Sequence, residues 1–179
     1  MLWLVALVLL FGCAPGRGLP PLSPAGQDYR LGPGDTVRLL VYSEDSLTGE
    51  FRVSAAGAIA VPLLGEVHAA GLTPAELGHE VEDLLQGEKL LEHPSVAAEV
   101  TTYRPIFVLG EVNKPGQYPF QPGMTVVTAV AVAAGFTYRA IEGYVSVVRT
   151  MDGRAVEGKA TRETYLEPGD VVTVFERRF

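Results

Sequence analysis

Cys13 is the only thiol in the chain, and it directly follows twelve uncharged residues, M-L-W-L-V-A-L-V-L-L-F-G. Leu10-Phe11-Gly12-Cys13 resembles a lipobox, the site where bacteria attach lipid to a cysteine and cleave the chain before it. A bilayer-spanning helix needs roughly 20 apolar residues, so this run suits the h-region of an export signal better than a membrane anchor. No Lys or Arg precedes the run, and Phe11 is bulkier than the residue usual at its place. A plain signal peptide, or a buried apolar strand with an inert thiol, are the other readings of the same residues. Lipidation would cap a sulfur otherwise left free in an oxidising compartment. One cysteine permits no disulfide within the chain. Ala14 stands where an Asp would favour the inner membrane, by similarity to bacterial lipoproteins, and so points to the outer membrane.

No other residue group promises reactivity. His68, His79 and His93 share no metal-ligand spacing, and no H-E-x-x-H pattern occurs. There is no G-x-S-x-G elbow and no glycine-rich phosphate loop ahead of a helix. Glu76, Glu80, Glu82 and Asp83 crowd the start of a predicted helix, where they read as a solvated acidic face. The sequence therefore predicts no catalytic residue, no metal and no cofactor. A net charge of −7 argues against nucleic acid and against an anionic membrane surface, since both demand a basic face.

The elements follow from turn chemistry and periodicity. Residues 13–28 hold Pro15, Pro20, Pro21 and Pro24 without periodicity, and predict a flexible tether reaching up to ~40 Å when extended. Pro33-Gly34 suits a type II turn before a strand at 36–42. Strands follow at 50–54 and 58–61, and Pro62 ends that pairing or marks an edge. Thr73, Pro74 and Glu76 open a helix with a capping box, and Leu77, Val81, Leu84 and Leu85 form its apolar stripe. Further strands are expected at 96–103, 106–109, 144–150 and 171–175, with turns at 113–116 and Asp152-Gly153. Thr125 caps a second helix over 126–134; its Val/Ala composition predicts thorough burial. Leu31-Gly32-Pro33-Gly34-Asp35 is echoed by Leu166-Glu167-Pro168-Gly169-Asp170, and Leu64-Gly65-Glu66-Val67 by Leu109-Gly110-Glu111-Val112. The echo suggests two α+β units with a boundary near Arg104.

In order, these pieces resemble the bacterial outer-membrane polysaccharide export proteins (Wza-like, and in length their short GumB-like members). Residues 29–42, 57–67, 72–85 and 94–103 are similar to the family's export domain. Residues 104–112, Pro115-Gly116-Gln117-Tyr118, 125–135 and 166–175 are similar to its β-grasp domain, often called SLBB. The resemblance implies an α+β chain: a signal peptide at 1–12, a lipid-attached tether at 13–28, a small β-rich polysaccharide export domain at 29–103, and one SLBB-like β-grasp domain at 104–179. It implies a lipoprotein on the periplasmic face of the outer membrane. Its copies would form a ring carrying capsular or extracellular polysaccharide from an inner-membrane polymerase and chain-length regulator. The longest members add β-grasp domains and a C-terminal helix that builds a membrane pore. Here the sequence ends at Glu176-Arg177-Arg178-Phe179 with no such helix, which implies a separate outer-membrane pore protein as partner, or a role only as a periplasmic conduit.

For a glycan the useful groups are aromatic faces beside hydrogen-bond donors. Tyr103-Arg104 and Tyr138-Arg139 offer that pairing at predicted element edges. The plainer alternative has the tyrosines packing at domain edges and the arginines pairing with nearby acids. A head-to-tail ring needs two different surfaces per subunit, and edges near Pro62 or Pro105 are candidates. A second functional reading is a lipoprotein that binds glycan without moving it.

Overall fold

The computed structural model describes residues 15–16, 18–25, 28–151 and 153–177. Cys13 and the expected signal segment lie outside these residues, as does Asp152 of the expected hairpin turn.

The first unit is built around β1 (Thr36–Val41). Its alternating pattern sends Val37, Leu39 and Val41 into the core and leaves Arg38 and Leu40 outside. β2 (Gly49–Arg52) and β5 (Val96–Thr102) pair with β1 on either side, both antiparallel. β3 (Ala58–Val61) and β4 (Gly65–His68) form a separate hairpin, with Val61 opposite Gly65. Pro62 lies in the turn of that hairpin, and Leu63 takes a positive φ of 67° there. α1 (Pro74–Gly87) starts with the capping box expected of Thr73 and Glu76. It buries Leu77, Val81 and Leu85 against this core, and Gly78 lets it approach β5 closely: a Cβ there would sit 3.0 Å from the Val96 carbonyl oxygen.

The second unit is a β-grasp. β6 (Ile106–Gly110), β7 (Gly116–Tyr118), β8 (Val145–Met151), β9 (Arg154–Ala160) and β10 (Val171–Val174) form one sheet in the order β7-β6-β10-β8-β9. β10 runs parallel to β6, and the other neighbours are antiparallel. α2 (Val126–Val132) lies on one face and buries Val126, Ala129 and Val130 over Ile106, Val108, Val147 and Val172. The expectation of thorough burial holds for that face alone. Val132 is 49% exposed, because the sheet covers only one side of the helix. Strands β4, β7 and β9 went unpredicted as separate elements: the first two have four and three residues, too few to show a period, and β9 opens on four exposed residues without alternation.

The proline-rich stretch expected to hang free instead lies on the second unit. Pro21 bridges Lys159 in parallel; the Leu22 N–H donates to the Lys159 carbonyl at 2.9 Å, and the Lys159 N–H donates to the Pro20 carbonyl at 2.7 Å. Pro20 and Pro21 lack an N–H, so at this point the strap donates to β9 through Leu22 alone. Leu22 adds apolar contact with the core beneath. The strap also covers an otherwise open edge strand.

Gly158 makes this seat possible, since a Cβ there would lie 2.7 Å from the Leu22 Cα. Gly158→Ala should therefore lift the strap and leave the rest of the sheet paired. Limited proteolysis should cut within residues 18–25 faster in the variant, with the fragment from residue 28 onward as stable as in the parent.

Candidate functional site

Two turns of the same design feed the central strands of the two sheets. In the first, the Asp35 N–H donates to the Gly32 carbonyl at 3.1 Å across Pro33 and Gly34, with Gly34 at φ 102°. In the second, the Asp170 N–H donates to the Glu167 carbonyl at 3.1 Å across Pro168 and Gly169, with Gly169 at φ 92°. This is type II turn geometry, in which Pro presets one φ and Gly supplies the positive one. Each aspartate then turns its carboxylate back: Asp35 Oδ2 accepts from the Gly32 N–H and Asp170 Oδ2 from the Glu167 N–H, both at 2.8 Å. Both side chains are buried, and burying a carboxylate is costly without charged or donor partners.

Each aspartate has an arginine. Arg149, on β8, is 2% exposed and meets Asp170 in a fork, with Nε to Oδ1 at 3.0 Å and Nη2 to Oδ2 at 2.7 Å. Its remaining donors reach the Tyr165 and Ser23 carbonyls, so the strap closes over this pair. Burial pushes the Asp170 carboxyl up, and the Arg149 bonds and the Glu167 N–H oppose that push. Arg104 performs the matching task for Asp35 across the boundary between units. Its backbone N–H donates to Asp35 Oδ1 at 2.9 Å, and its Nε lies 3.4 Å from the same oxygen as an ion pair. Gly32 lies under the guanidinium: a Cβ there would be 2.0 Å from Nη1.

Tyr29 completes the junction. Its hydroxyl donates to Asp35 Oδ2 and accepts from Arg104 Nη2. Burial, then the Asp35 carboxylate beside it, push this phenol far above its usual range, so it remains a donor. The Tyr29 ring meets Tyr103 edge-on at 5.0 Å, and Tyr103 meets Phe120 at 5.6 Å. Tyr29 packs on the first core and Phe120 on the second, so this aromatic file joins the two.

The four residues read as glycan candidates are thus not brought together. Tyr103 and Arg104 sit in the junction, at the N-terminal ends of β6 and β10. Tyr138 and Arg139 sit past the opposite ends, where the Thr137 N–H donates to the Glu111 carbonyl and Ala140 bridges Glu176. Tyr138 is 86% exposed, and Arg139 pairs with Glu176. Among the described residues no three His, Cys, Asp or Glu gather as metal ligands would, and His79 merely faces Glu82 on the helix surface. An open groove of about 740 Å³ runs between the start of α1 and β5, lined by Asp28, Arg30, Glu76, His79 and Ala98 among others. Among the described residues no helix is long and apolar enough to cross a membrane.

The two arginines should differ in what they hold. Arg149→Ala strands a buried carboxylate and should cost roughly 3–5 kcal/mol. Arg104→Ala leaves the equally buried Asp35 with the Gly32 and residue-104 backbone N–H groups and the Tyr29 hydroxyl, and should cost only about 1–2 kcal/mol. Urea unfolding of the two variants measures this; equal losses would show that the remaining donors do not set the difference.

Comparison with known proteins agrees with this architecture. Residues 23–101 match the family described as Polysaccharide biosynthesis/export protein, and residues 105–160 match the SLBB domain. The second match stops short of β10, which the structure places at the centre of that sheet. The chain is 32% identical over 119 residues to the exopolysaccharide production protein ExoF of Rhizobium meliloti (strain 1021), covering 60% of this chain and 28% of ExoF. It is 25% identical over 191 residues to the EPS I polysaccharide export outer membrane protein EpsA of Ralstonia nicotianae, covering 88% of this chain and 50% of EpsA. The chain therefore spans half or less of the length of these relatives. With an export domain followed by an SLBB domain of β-grasp fold, it belongs to the bacterial polysaccharide export family.

Proposed function

We propose that the chain is a lipoprotein on the periplasmic face of the outer membrane, acylated at Cys13, whose copies form a ring that passes capsular or extracellular polysaccharide outward. The ring would receive polymer from an inner-membrane polymerase and chain-length regulator, and a separate outer-membrane protein would carry it across. The observation that carries this reading is the ordered pair of family domains joined by a buried, charged junction. A head-to-tail ring closes only if every subunit presents its two contact surfaces at one fixed angle. The Asp35–Arg104–Tyr29 cluster and the Tyr29–Tyr103–Phe120 file supply such a fixed angle. The Pro62 turn, where Leu63 is 74% exposed, and the outer edges of β2 and β5 are the surfaces proposed for contact between copies. The polymer needs no tight site, since weak repeated contacts let it slide.

The exposed Tyr138 beside Arg139 favours a second reading, a monomeric lipoprotein that binds glycan without transporting it.

The test is the amount of extracellular against cell-retained polysaccharide in a deletion strain, with add-back of the parent chain and of Cys13→Ser. Export predicts loss of secreted polymer, restored by the parent and not by Cys13→Ser. Unchanged secretion would contradict it. A strictly monomeric acylated chain that binds oligosaccharide at about micromolar affinity, ~8 kcal/mol, would favour the second reading.

A further inference from the structure

We propose that the end of the β-grasp unit formed by Leu109, Tyr138, Tyr144 and Phe175 docks directly on the lipid surface, so that the protein rests on the membrane rather than hanging from it. The proposal rests on acylation of Cys13.

The first argument is where the chain leaves the fold. The Tyr144 hydroxyl donates to the Pro15 carbonyl at 2.8 Å, and Gly16 lies against the Phe175 ring, where a Cβ would meet ring carbon at 2.4 Å. Cys13 is two residues before Pro15. Two residues span at most ~7 Å. An acyl group on that sulfur enters the bilayer beside Tyr144 and Phe175. The described residues between Pro15 and Ser23 that touch the β-grasp unit shorten the reach expected of residues 13–28.

The second argument is what this end presents. The Tyr144 and Phe175 rings are 5.9 Å apart, between β8 and the end of β10. Leu109, 43% exposed, stands on the same face one strand over, opposite Thr173. Tyr138, 86% exposed, projects from the turn tied to Glu111. Rings with a polar tip and an apolar body favour the boundary between headgroups and acyl chains. Both signs of charge stand here: Arg139 pairs with Glu176, Arg177 approaches Glu142 at 3.9 Å, the Thr137 hydroxyl donates to the Glu111 carboxylate, and Lys159 Nζ lies 4.7 Å from the centre of the Tyr144 ring. Such an end can meet a zwitterionic surface without the basic face that the chain's charge of −7 denies it.

The third argument is clearance. The first unit joins at the other ends of β6 and β10, through Arg104 and Asp35, and so points away from the bilayer. Docking also supplies the second contact that a lipid anchor uses to become stable.

The experiment uses the acylated full-length product in phosphatidylcholine vesicles whose acyl chains carry bromine, a tryptophan quencher. Trp3 is the only tryptophan and precedes Cys13, so the processed chain is silent. Tyr138→Trp and Leu109→Trp report on the docking end. Tyr42→Trp, 80% exposed in the first unit, is the control. Intact mass reports acylation at Cys13. The proposal expects blue-shifted emission and loss of most of it in brominated vesicles for the first two variants, and no change for Tyr42→Trp. An acylated, vesicle-bound chain with unquenched Tyr138→Trp and Leu109→Trp overturns docking and leaves the anchor standing. Emission shielded from an aqueous quencher yet untouched by bromine shows the end covered by a second copy, and overturns it too. A shift on adding oligosaccharide in place of one on adding brominated lipid gives this end to a glycan. Unmodified Cys13 overturns the proposal together with the reading beneath it.

Discussion

Two buried carboxylates organise this molecule. Asp35 and Asp170 are 0% and 1% exposed, and each lies at the mouth of a strand that is central in its sheet. An ionised carboxylate in that position is tolerable only with charge-assisted donors on both oxygens. Each turn supplies one donor from its own backbone, through the N–H three residues back. The remaining demand recruits an arginine from elsewhere in the chain. For Asp170 that arginine comes from the neighbouring strand, and the result is a locked second unit. For Asp35 it comes from the segment that links the units, and the result is a locked junction. Much of the rest follows. A Cβ at Gly32 would displace the guanidinium that passes over it, and Tyr29 must keep its proton because it donates into the same carboxylate.

The repeated design is a likeness of turns, not of folds. The first unit places β1 between two antiparallel neighbours and adds a separate hairpin. The second places β10 beside a parallel partner, reached through a helix. The other echo differs in use as well. Gly65 opens β4, whereas Gly110 closes β6 with φ 82° and lies so close to Val174 that a Cβ would be 2.1 Å from its carbonyl oxygen. Turn chemistry converges on Pro-Gly-Asp wherever a tight reversal must also deliver a capped strand.

Much of this was legible before any coordinates. The Thr73 capping box, both Pro-Gly turns and the alternation of β1 are local features, and local features are written in adjacent residues. What escaped depends on partners far along the chain. Residues 15–24 carry no period, and their hold on the second unit comes from scattered bonds, to Lys159, Arg149 and Tyr144, that no spacing announces. The arginine of the second lock did leave a trace. Val145, Val147 and Arg149 share one face of β8, so a charge stands in a buried row, and only a buried acid can account for it. Leu-x-Pro-Gly-Asp was likewise in view twice, but read as turn chemistry alone it does not say that the aspartate carries a counter-ion. Of the glycan candidates, Arg104 is engaged by Asp35 and Tyr103 by two aromatic rings, so adjacency of Tyr and Arg in sequence did not mean a shared open surface.

In the ring proposed for this chain each copy would need its two units to move as one body, and the Asp35 lock is the contact that would make them do so. The direct measure is the distance distribution between spin labels at Tyr42→Cys in the first unit and Val132→Cys in the second, in a Cys13→Ser background, by pulsed electron resonance. A rigid junction predicts one narrow distribution in the otherwise unaltered chain, and a broad one when Asp35→Ala removes the lock. A broad distribution with Asp35 in place would contradict the account, because the two units would then be joined by a hinge.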